Sequence, residues 1–505
     1  MSRAPGQCHH SAGSDHSQLR AGPIGQLRGA ADRGCGRAWK EAAQFGDGSR
    51  AAHGRGPCRP PAEGTALTAH GSRAAPLWWA PAIVGASVLA AAAARSAGTF
   101  TPHGVEAVAG GLCLLVAAWI CMRPGWRLAW PTLLWPLGVA GLALLNLSPA
   151  IAPVRSLAAL ALAIALAASA AALCLPLPRA SQLLAAVTAA AADIGLALIQ
   201  VTWGRAPIDV FDFTQGAAQR LLHLQNPYGG IFPSTTPGVP YFHFPYLPGV
   251  LIATAPFRLL GDIRVANAAA MLVLFGSIWV VGRRHVGSPW SERWLAVAVA
   301  VPLPARMVVM AWPEVYLVAA IAAWLALREA HPRWGALVLG LGICTVPTPL
   351  PLLAIPWLWW PSARREITAA AVLAIILCVP FAAWAGFGNF FHDVVVVQLH
   401  TPTRLDALTV NSFLAHLHRG FLPTWVGILV PGLVLLLAAA LGPRGWDSAF
   451  LLGSVLLTVI FLTAKWAFFD YYFIVVYAVI LGLSLGHPQW EAKPNRGLGR
   501  VGAPT

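Results

Sequence analysis

The sequence predicts an all-α polytopic membrane protein, and three observations predict it. Mean hydropathy is +0.65, with 57% hydrophobic and only 10% charged residues. Several uninterrupted apolar runs approach or exceed the roughly 18 residues a helix needs to cross a ~30 Å hydrocarbon core. LWWAPAIVGASVLAAAAA (77–94) and RSLAALALAIALAASAAALC (155–174) are two of them. None of the runs alternates polar with apolar, which excludes a β-barrel. A helix satisfies every backbone N–H and C=O within its own segment, as lipid demands.

The net charge of +15 does not indicate a nucleic-acid partner. The arginines lie mostly in a polar head and in short loops between apolar runs, which is the positive-inside pattern of a membrane protein. The eight cysteines form no CxxC and five lie inside apolar runs, so they read as small apolar residues, neither disulfides nor metal ligands. The acids are dispersed and no Asp-x-Asp occurs, so no metal or cofactor is expected.

Residues 1–76, rich in Arg, Gly, Ala and His and without an apolar h-region, read as a disordered basic cytoplasmic tail and not a signal peptide. With that tail inside, spans follow near 77–95, 106–122, 128–146, 156–176 and 181–203, and Arg123, Arg127 and Arg179 fall in inner loops. The first four spans (77–180) form an accessory region ahead of a core over 181–486. Reading back from a second cytoplasmic tail (487–505, with Lys493, Arg496 and Arg500) gives spans near 466–486, 447–464, 424–441 and 366–384. Two short runs, 335–345 and 348–360, form a hairpin turning at TVPTP, and spans near 313–327, 294–310 and 265–282 precede it. The two directions agree only if 247–262, short and carrying two prolines, is re-entrant or interfacial. About fourteen spans result, with both termini cytoplasmic. The outer segments are then 204–263, 312–314, 345–349, 385–423 and 464–471.

Those outer segments carry an ordered set of motifs: IDVFDFTQGAAQRLLHLQNPY (208–228), YFHFPYLPGVLIATAPFRLLG (241–261), WPEVYLVAAIAAWLAL (312–327), QLHTPTRLDALTVNSFLAHL (398–417) and AKWAFFDYYFIV (464–475). In this order they resemble the GT-C glycosyltransferases that use polyprenyl-phosphate sugars, most closely the bacterial α-mannosyltransferase-like branch, family 87 and its relatives. The likeness covers about 181–486. The hairpin reads CTVPTPLP where these enzymes often carry a Lys, and PYLPG replaces a Tyr-Pro-Pro-Leu segment. The resemblance implies a multi-pass bacterial plasma (inner) membrane enzyme of cell-envelope biogenesis. Such an enzyme moves a sugar, mannose favoured, from a polyprenyl-phosphate donor to a glycolipid, glycan or protein acceptor with inversion. Its partners would be the donor, the acceptor and membrane lipids.

That chemistry needs a base for the acceptor hydroxyl, and the resemblance points to Asp209. Asp212 lies three residues on, where both share one helix face; the other reading is that the pair caps the helix that follows. The leaving phosphate needs cationic donors. Lys465, the only lysine between Lys40 and Lys493, and Arg404 are the candidates. Their alternatives are interfacial snorkelling and a local pair with Asp406. Glu314 either caps its helix or lines the cavity, and His243 either packs between Phe242 and Phe244 or contacts substrate. Asn226, Tyr228 and Tyr246 come with the matched motifs as cavity residues. Tyr471 and Tyr472 fit an aromatic belt as well as sugar stacking, and Asn411 fits a cap as well as an acceptor contact. Asp193, alone in mid-span, reads as functional or as an interhelical hydrogen bonder. Two other classes stay open: a lipid-linked-sugar transporter or flippase, which would favour inverted repeats, and a non-catalytic GT-C-like membrane subunit. An O-antigen-ligase-like transferase also uses a large outer loop, but fits NPY and FPYLP less well.

Overall fold

The computed structural model describes residues 75–76, 79–95, 100–120, 122, 127–128, 134–145, 157–202, 209–233, 241–400, 402–443 and 445–486. Both tails therefore lie outside the described residues except Ala75–Pro76, which forms strand β1 and pairs with β2 (Arg127–Leu128). The other regular elements among the described residues are helices, apart from a second two-residue pair, β3 (Phe232–Pro233) with β4 (Tyr241–Phe242).

The accessory helices are α1 (Trp79–Arg95), α2 (Pro102–Ile120), α3 (Leu134–Leu144) and α4 (Leu157–Leu173). The core begins with α5 (Arg179–Thr202), amphipathic α6 (Asp209–Leu222), α7 (Pro248–Arg258), α8 (Arg264–His285), α9 (Trp290–Ala300) and α10 (Pro304–Val309). It continues through α11 (Glu314–Leu327), α12 (Pro332–Ile343), α13 (Leu350–Trp359) and α14 (Pro361–Ala385). After α14 come α15 (Phe387–Phe391), a π-helical turn (His392–Val396), α16 (Val397–His400), α17 (Val410–His416), α18 (Val426–Leu441), α19 (Trp446–Thr463) and α20 (Phe469–Leu485). Proline opens many of these helices: α7, α10, α12, α13 and α14 all carry one at the first or second position. There its missing N–H costs nothing and its fixed φ suits the helix.

Among the described residues, five helices (α2, α5, α8, α14 and α19) are long and apolar enough to cross a membrane, and seven further apolar helices are shorter. Two span expectations change. The single span at 294–310 is broken into α9 and α10 by a non-helical Val301–Leu303, because Pro302 and Pro304 interrupt the hydrogen-bond ladder. The short runs 335–345 and 348–360 are helices with the expected turn at 344–349, but each packs mainly on other helices. Helix α12 lies between α11 and α14, and α13 rests on α19 and α14. The reason is a small-residue stripe: at Gly340 and Gly342 a Cβ would meet the Ala370 carbonyl oxygen at 2.9 Å and the Ala320 methyl at 2.3 Å, so α12 seats tightly against both neighbours. Helix α7 has 11 residues, about 16 Å of helix, which is half a hydrocarbon core.

The helices have two chemically different ends. At one end Arg283 bonds Glu292 (2.8 Å), Arg328 pairs with Glu366 (3.3 Å) and Arg284 donates to the Ala326 carbonyl. The Arg328 guanidinium also sits 4.0 Å over the Trp446 ring. A tryptophan cluster of Trp79, Trp135, Trp290 and Trp294 lies there too, with centroids 4.8–5.9 Å apart and Arg293 over Trp290. An apolar cavity of about 250 Å³ opens between α1, α3 and α9, lined by Ile83, Trp135, Val139, Leu142 and Val297 among others; none of the candidate site residues lines it. The candidate acids of the outer segments gather at the opposite end.

Candidate functional site

The site is assembled from segments far apart in the chain. Asp209 and Asp212 occupy the first turn of α6, where their charge complements the helix dipole. The apolar face of α6 (Phe211, Phe213, Ala217, Ala218) is buried. Downstream, residues 223–233 and 241–247 are pinned at five points. Asn226 accepts from the Tyr228 N–H (2.9 Å) and donates to the Trp384 carbonyl (3.3 Å). Tyr228, buried, donates its hydroxyl to the Tyr246 carbonyl (2.9 Å) and packs its ring edge-on against Phe244 and Phe390. The Gly229 N–H donates to Asp393 (2.6 Å), and His243 Nδ1 lies 3.3 Å from the other oxygen of the same carboxylate. Finally, the Leu247 and Gly249 N–H groups donate to the carbonyls of Thr345 and Cys344 (3.1 and 2.7 Å).

Asp393 is the site residue for which the sequence gives least warning. The π-helical turn His392–Val396 carries it to 1% exposure, where it also meets His392 Nδ1 at 3.2 Å. One buried carboxylate thus bonds Gly229 in 223–233 and faces His243 in 241–247. Its signal in the sequence is faint: a lone His-Asp ahead of VVVV.

Tyr246 joins this wall to the acids. Burial, followed by the charges of Glu314, Asp470, Tyr471 and Asp209, pushes its phenol well up from its ordinary value. Five groups from α6, α11, α20 and the loop therefore share one neighbourhood. Glu314 (3% exposed) and Asp470 (5% exposed) are buried near each other at the starts of α11 and α20, close enough for each carboxyl to act on the other. Glu314 stands in the first turn of α11, where its charge complements the helix dipole, but the cap position is Pro313 and no side-chain capping bond is made. Asp470 lies in the motif AKWAFFDYYFIV, where the aromatic residues around it give the stronger signal and conceal it. One oxygen of each acid, Glu314 Oε2 and Asp470 Oδ1, is buried with no hydrogen-bond partner.

The cations lie to one side. Arg404 donates twice to Asp406 (2.8 and 2.7 Å) and stacks 5.2 Å over Phe468. These bonds hold the Asp406 carboxylate below its ordinary range and the guanidinium above its own, and the charge of Asp209 also acts on Arg404. The local pair weighed for Arg404 is thus formed. Lys465 is exposed and donates to the Leu399 carbonyl (2.9 Å). Backbone bonds from Arg404 to Lys465 and from Leu408 to Ala467 sew the 402–409 loop to the α19–α20 connection. Asn411 does not cap α17; the cap is Thr409, whose hydroxyl accepts from the Ser412 N–H. Asn411 instead bridges the Ala464 carbonyl and the Leu422 N–H (2.9 and 2.8 Å). Tyr472 is buried with its hydroxyl on the Leu408 carbonyl, whereas Tyr471 takes the Trp466 indole N–H at 3.0 Å. Tyr472 is therefore scaffold and has no face free for stacking.

Asp193 lies apart from all of this, fully buried within α5. Neither of its oxygens has a hydrogen-bond partner, so the interhelical bond weighed for it is absent. Among the described residues no group of three or more His, Cys, Asp or Glu is arranged to hold a metal ion.

Gly249 gives a direct test of how the wall is seated. A Cβ there would sit 2.6 Å from the Cys344 carbonyl carbon and oxygen, which are backbone atoms and cannot turn aside. Gly249→Ala is expected to lower stability by about 1–3 kcal/mol, read as a fall in the thermal midpoint in detergent. An unchanged midpoint would mean that α7 does not rest on α12.

No family model matches this sequence, and no curated protein matches it. Among solved structures, the chain is similar to the crystal structure of ArnT from Cupriavidus metallidurans bound to undecaprenyl phosphate. Identity is 17% and the TM-score 0.43, over 61% of this chain and 60% of that one. The chain thus matches about three fifths of that protein's length, and the likeness assigns no residue of the site a role.

Proposed function

We propose that this chain is an integral-membrane glycosyltransferase that moves a sugar, mannose favoured, from a polyprenyl-phosphate donor to an outer-face glycolipid, glycan or protein acceptor, with inversion. The observation that carries this reading is the neighbourhood of Tyr246, which lies within electrostatic range of Asp209, Glu314, Asp470 and Tyr471 from three separate helices. The order of the outer-segment motifs supports it independently.

In this reading Asp209, partly exposed at the start of α6, takes the proton of the acceptor hydroxyl as that oxygen attacks the anomeric carbon. Asp212, one turn on, supports it. Arg404 and Lys465 face the departing phosphate and offset its growing charge. The open oxygens of Glu314 and Asp470 accept from sugar hydroxyls. Residues 223–233 and 241–247, with Asn226, Tyr228, His243 and Tyr246, wall the site and contribute shape. The arginine-rich end of the bundle faces the cytoplasm of a bacterial cell, and helices α1–α4 are an accessory region beside the core.

The test is transfer itself. Membranes containing the chain are incubated with radiolabelled polyprenyl-phosphate mannose and, separately, arabinose. Label should move from donor into a larger lipid or glycan product, and the absence of transfer from both donors would overturn the reading. One observation favours a rival, a non-catalytic membrane subunit: Arg404 and Lys465 are already engaged by Asp406 and the Leu399 carbonyl. Such a subunit would bind the donor without turning it over.

A further inference from the structure

Two cysteines distant in sequence meet at the loop end of the bundle. Cys344 ends α12 and Cys378 lies on α14, 34 positions apart, with their sulfurs separated by 3.7 Å. A disulfide bond measures about 2.05 Å, so the sulfurs need to approach by under ~2 Å, the scale of a side-chain rotation. The backbones are already close: one turn before Cys344, Gly340 brings α12 against the Ala370 carbonyl and Leu373 of α14. Cys344 is fully buried and Cys378 half-buried beside the lipid-facing Ile375, Ile376 and Val379.

We propose that Cys344 and Cys378 are a redox-active dithiol that closes to a disulfide, with hydrogen peroxide as the oxidant. Peroxide is neutral and small enough to reach a half-buried thiol at a membrane-facing helix. The Cys378 thiolate attacks one peroxide oxygen, the O–O bond breaks and the displaced hydroxide takes up the thiol's proton as water. The resulting Cys378 sulfenic acid is attacked by the Cys344 sulfur, and a second water leaves as the S–S bond forms. Two thiols and one peroxide thus give one disulfide and two waters.

The cross-link would fall where it matters to the wall. The Cys344 carbonyl holds the Gly249 N–H and the next carbonyl holds Leu247, so the start of α7 rests on this junction. Both sulfurs also lie within electrostatic range of the Tyr228 hydroxyl, which is bonded to the Tyr246 carbonyl. Oxidation would therefore fasten α12 to α14 directly beneath the segment that covers the acids. This inference does not depend on the glycosyltransferase reading.

The experiment uses the full chain in nanodiscs, reduced and then exposed to hydrogen peroxide. Remaining thiols are alkylated after denaturation and the peptides weighed. We expect Cys344 and Cys378 to lose alkylation together, a cross-linked peptide joining them, and full reversal by dithiothreitol. In Cys344→Ser, a dimedone adduct should appear at Cys378. Amide exchange over 226–230 and 246–250 should slow severalfold in the oxidised form. Full alkylation of both thiols after peroxide, or oxidation of each without a joined peptide, would overturn the proposal. Both of those outcomes are read on the wild-type chain, so the test holds even where Cys344→Ser fails to fold.

Discussion

Asp209→Asn is expected to lower sugar transfer by about 10²–10⁴-fold, the usual contribution of a positioned base, while the thermal midpoint stays within a degree or two of wild type. Asparagine keeps the size of the side chain and remains a good residue for a helix start, so a purely structural role at the head of α6 would survive the change. A base would not survive it, because the amide cannot take a proton. The loss should fall on kcat, with the apparent affinity for donor changed little, since Arg404 and Lys465 are left in place. Asp212→Asn should cost less, on the order of tenfold. Asp209→Asn with full activity would remove the base from this position and direct attention to the Glu314–Asp470 pair.

The second large effect is expected at Asp393, and it concerns the wall. Asp393→Ala removes the acceptor for the Gly229 N–H and the carboxyl that His392 and His243 face at 3.2 and 3.3 Å. Bonds to a buried charged acceptor contribute about 1.5–3 kcal/mol each, and part of that sum is recovered when water enters the opened loop. A net loosening of about 3 kcal/mol is a local opening constant roughly a hundredfold larger. Hydrogen exchange at 226–230 and 243–247 should rise by that factor while the interior of α19 and α20 stays protected. Asp393→Asn keeps an oxygen for Gly229 and should lie between the two. Uniform loosening of the whole bundle in Asp393→Ala would show that the carboxylate holds more than the loop.

Much of the helical frame is legible in the sequence because it rests on local signals. Long apolar runs mark α1, α2, α4, α5, α8, α14 and α19, and prolines and basic clusters mark where helices start and turn. Sequence and structure part where a local signal is stronger than its apolar surroundings suggest, or where the partner lies far away. Pro302 and Pro304 sit inside an apolar run long enough for one span, yet together they split it into α9 and α10. The two helices at TVPTP are consecutive and so look paired, whereas Gly340 and Gly342 commit α12 to α14 and α11. At the site, Asp209, Glu314 and Arg404 are legible as charged residues at helix starts and in loops. Asp393 is not, since its main partner Gly229 is 164 positions away and a π-helical turn, invisible in the residue pattern, turns it inward. Asp470 is in plain view in AKWAFFDYYFIV, but only its meeting with Glu314 distinguishes it from a belt residue.

The tryptophan cluster has a consequence for how the chain is made. Trp79 of α1 packs against Trp290 and Trp294 of α9, and its indole lies 3.4 Å from where a Cβ on Gly486, just past α20, would stand. The first described helix and the last are therefore neighbours in the finished bundle. During synthesis α20 emerges about 390 residues after α1, which at ~5–20 residues per second is a wait of roughly 20–80 s. For that interval the side of α1 that meets α20 has only lipid against it, while α2, α3 and then α9 come into place on its other sides. Closure of the seam between α1 and α20 is thus a late event, and a ribosome that stalls before α20 leaves behind a bundle with that seam open.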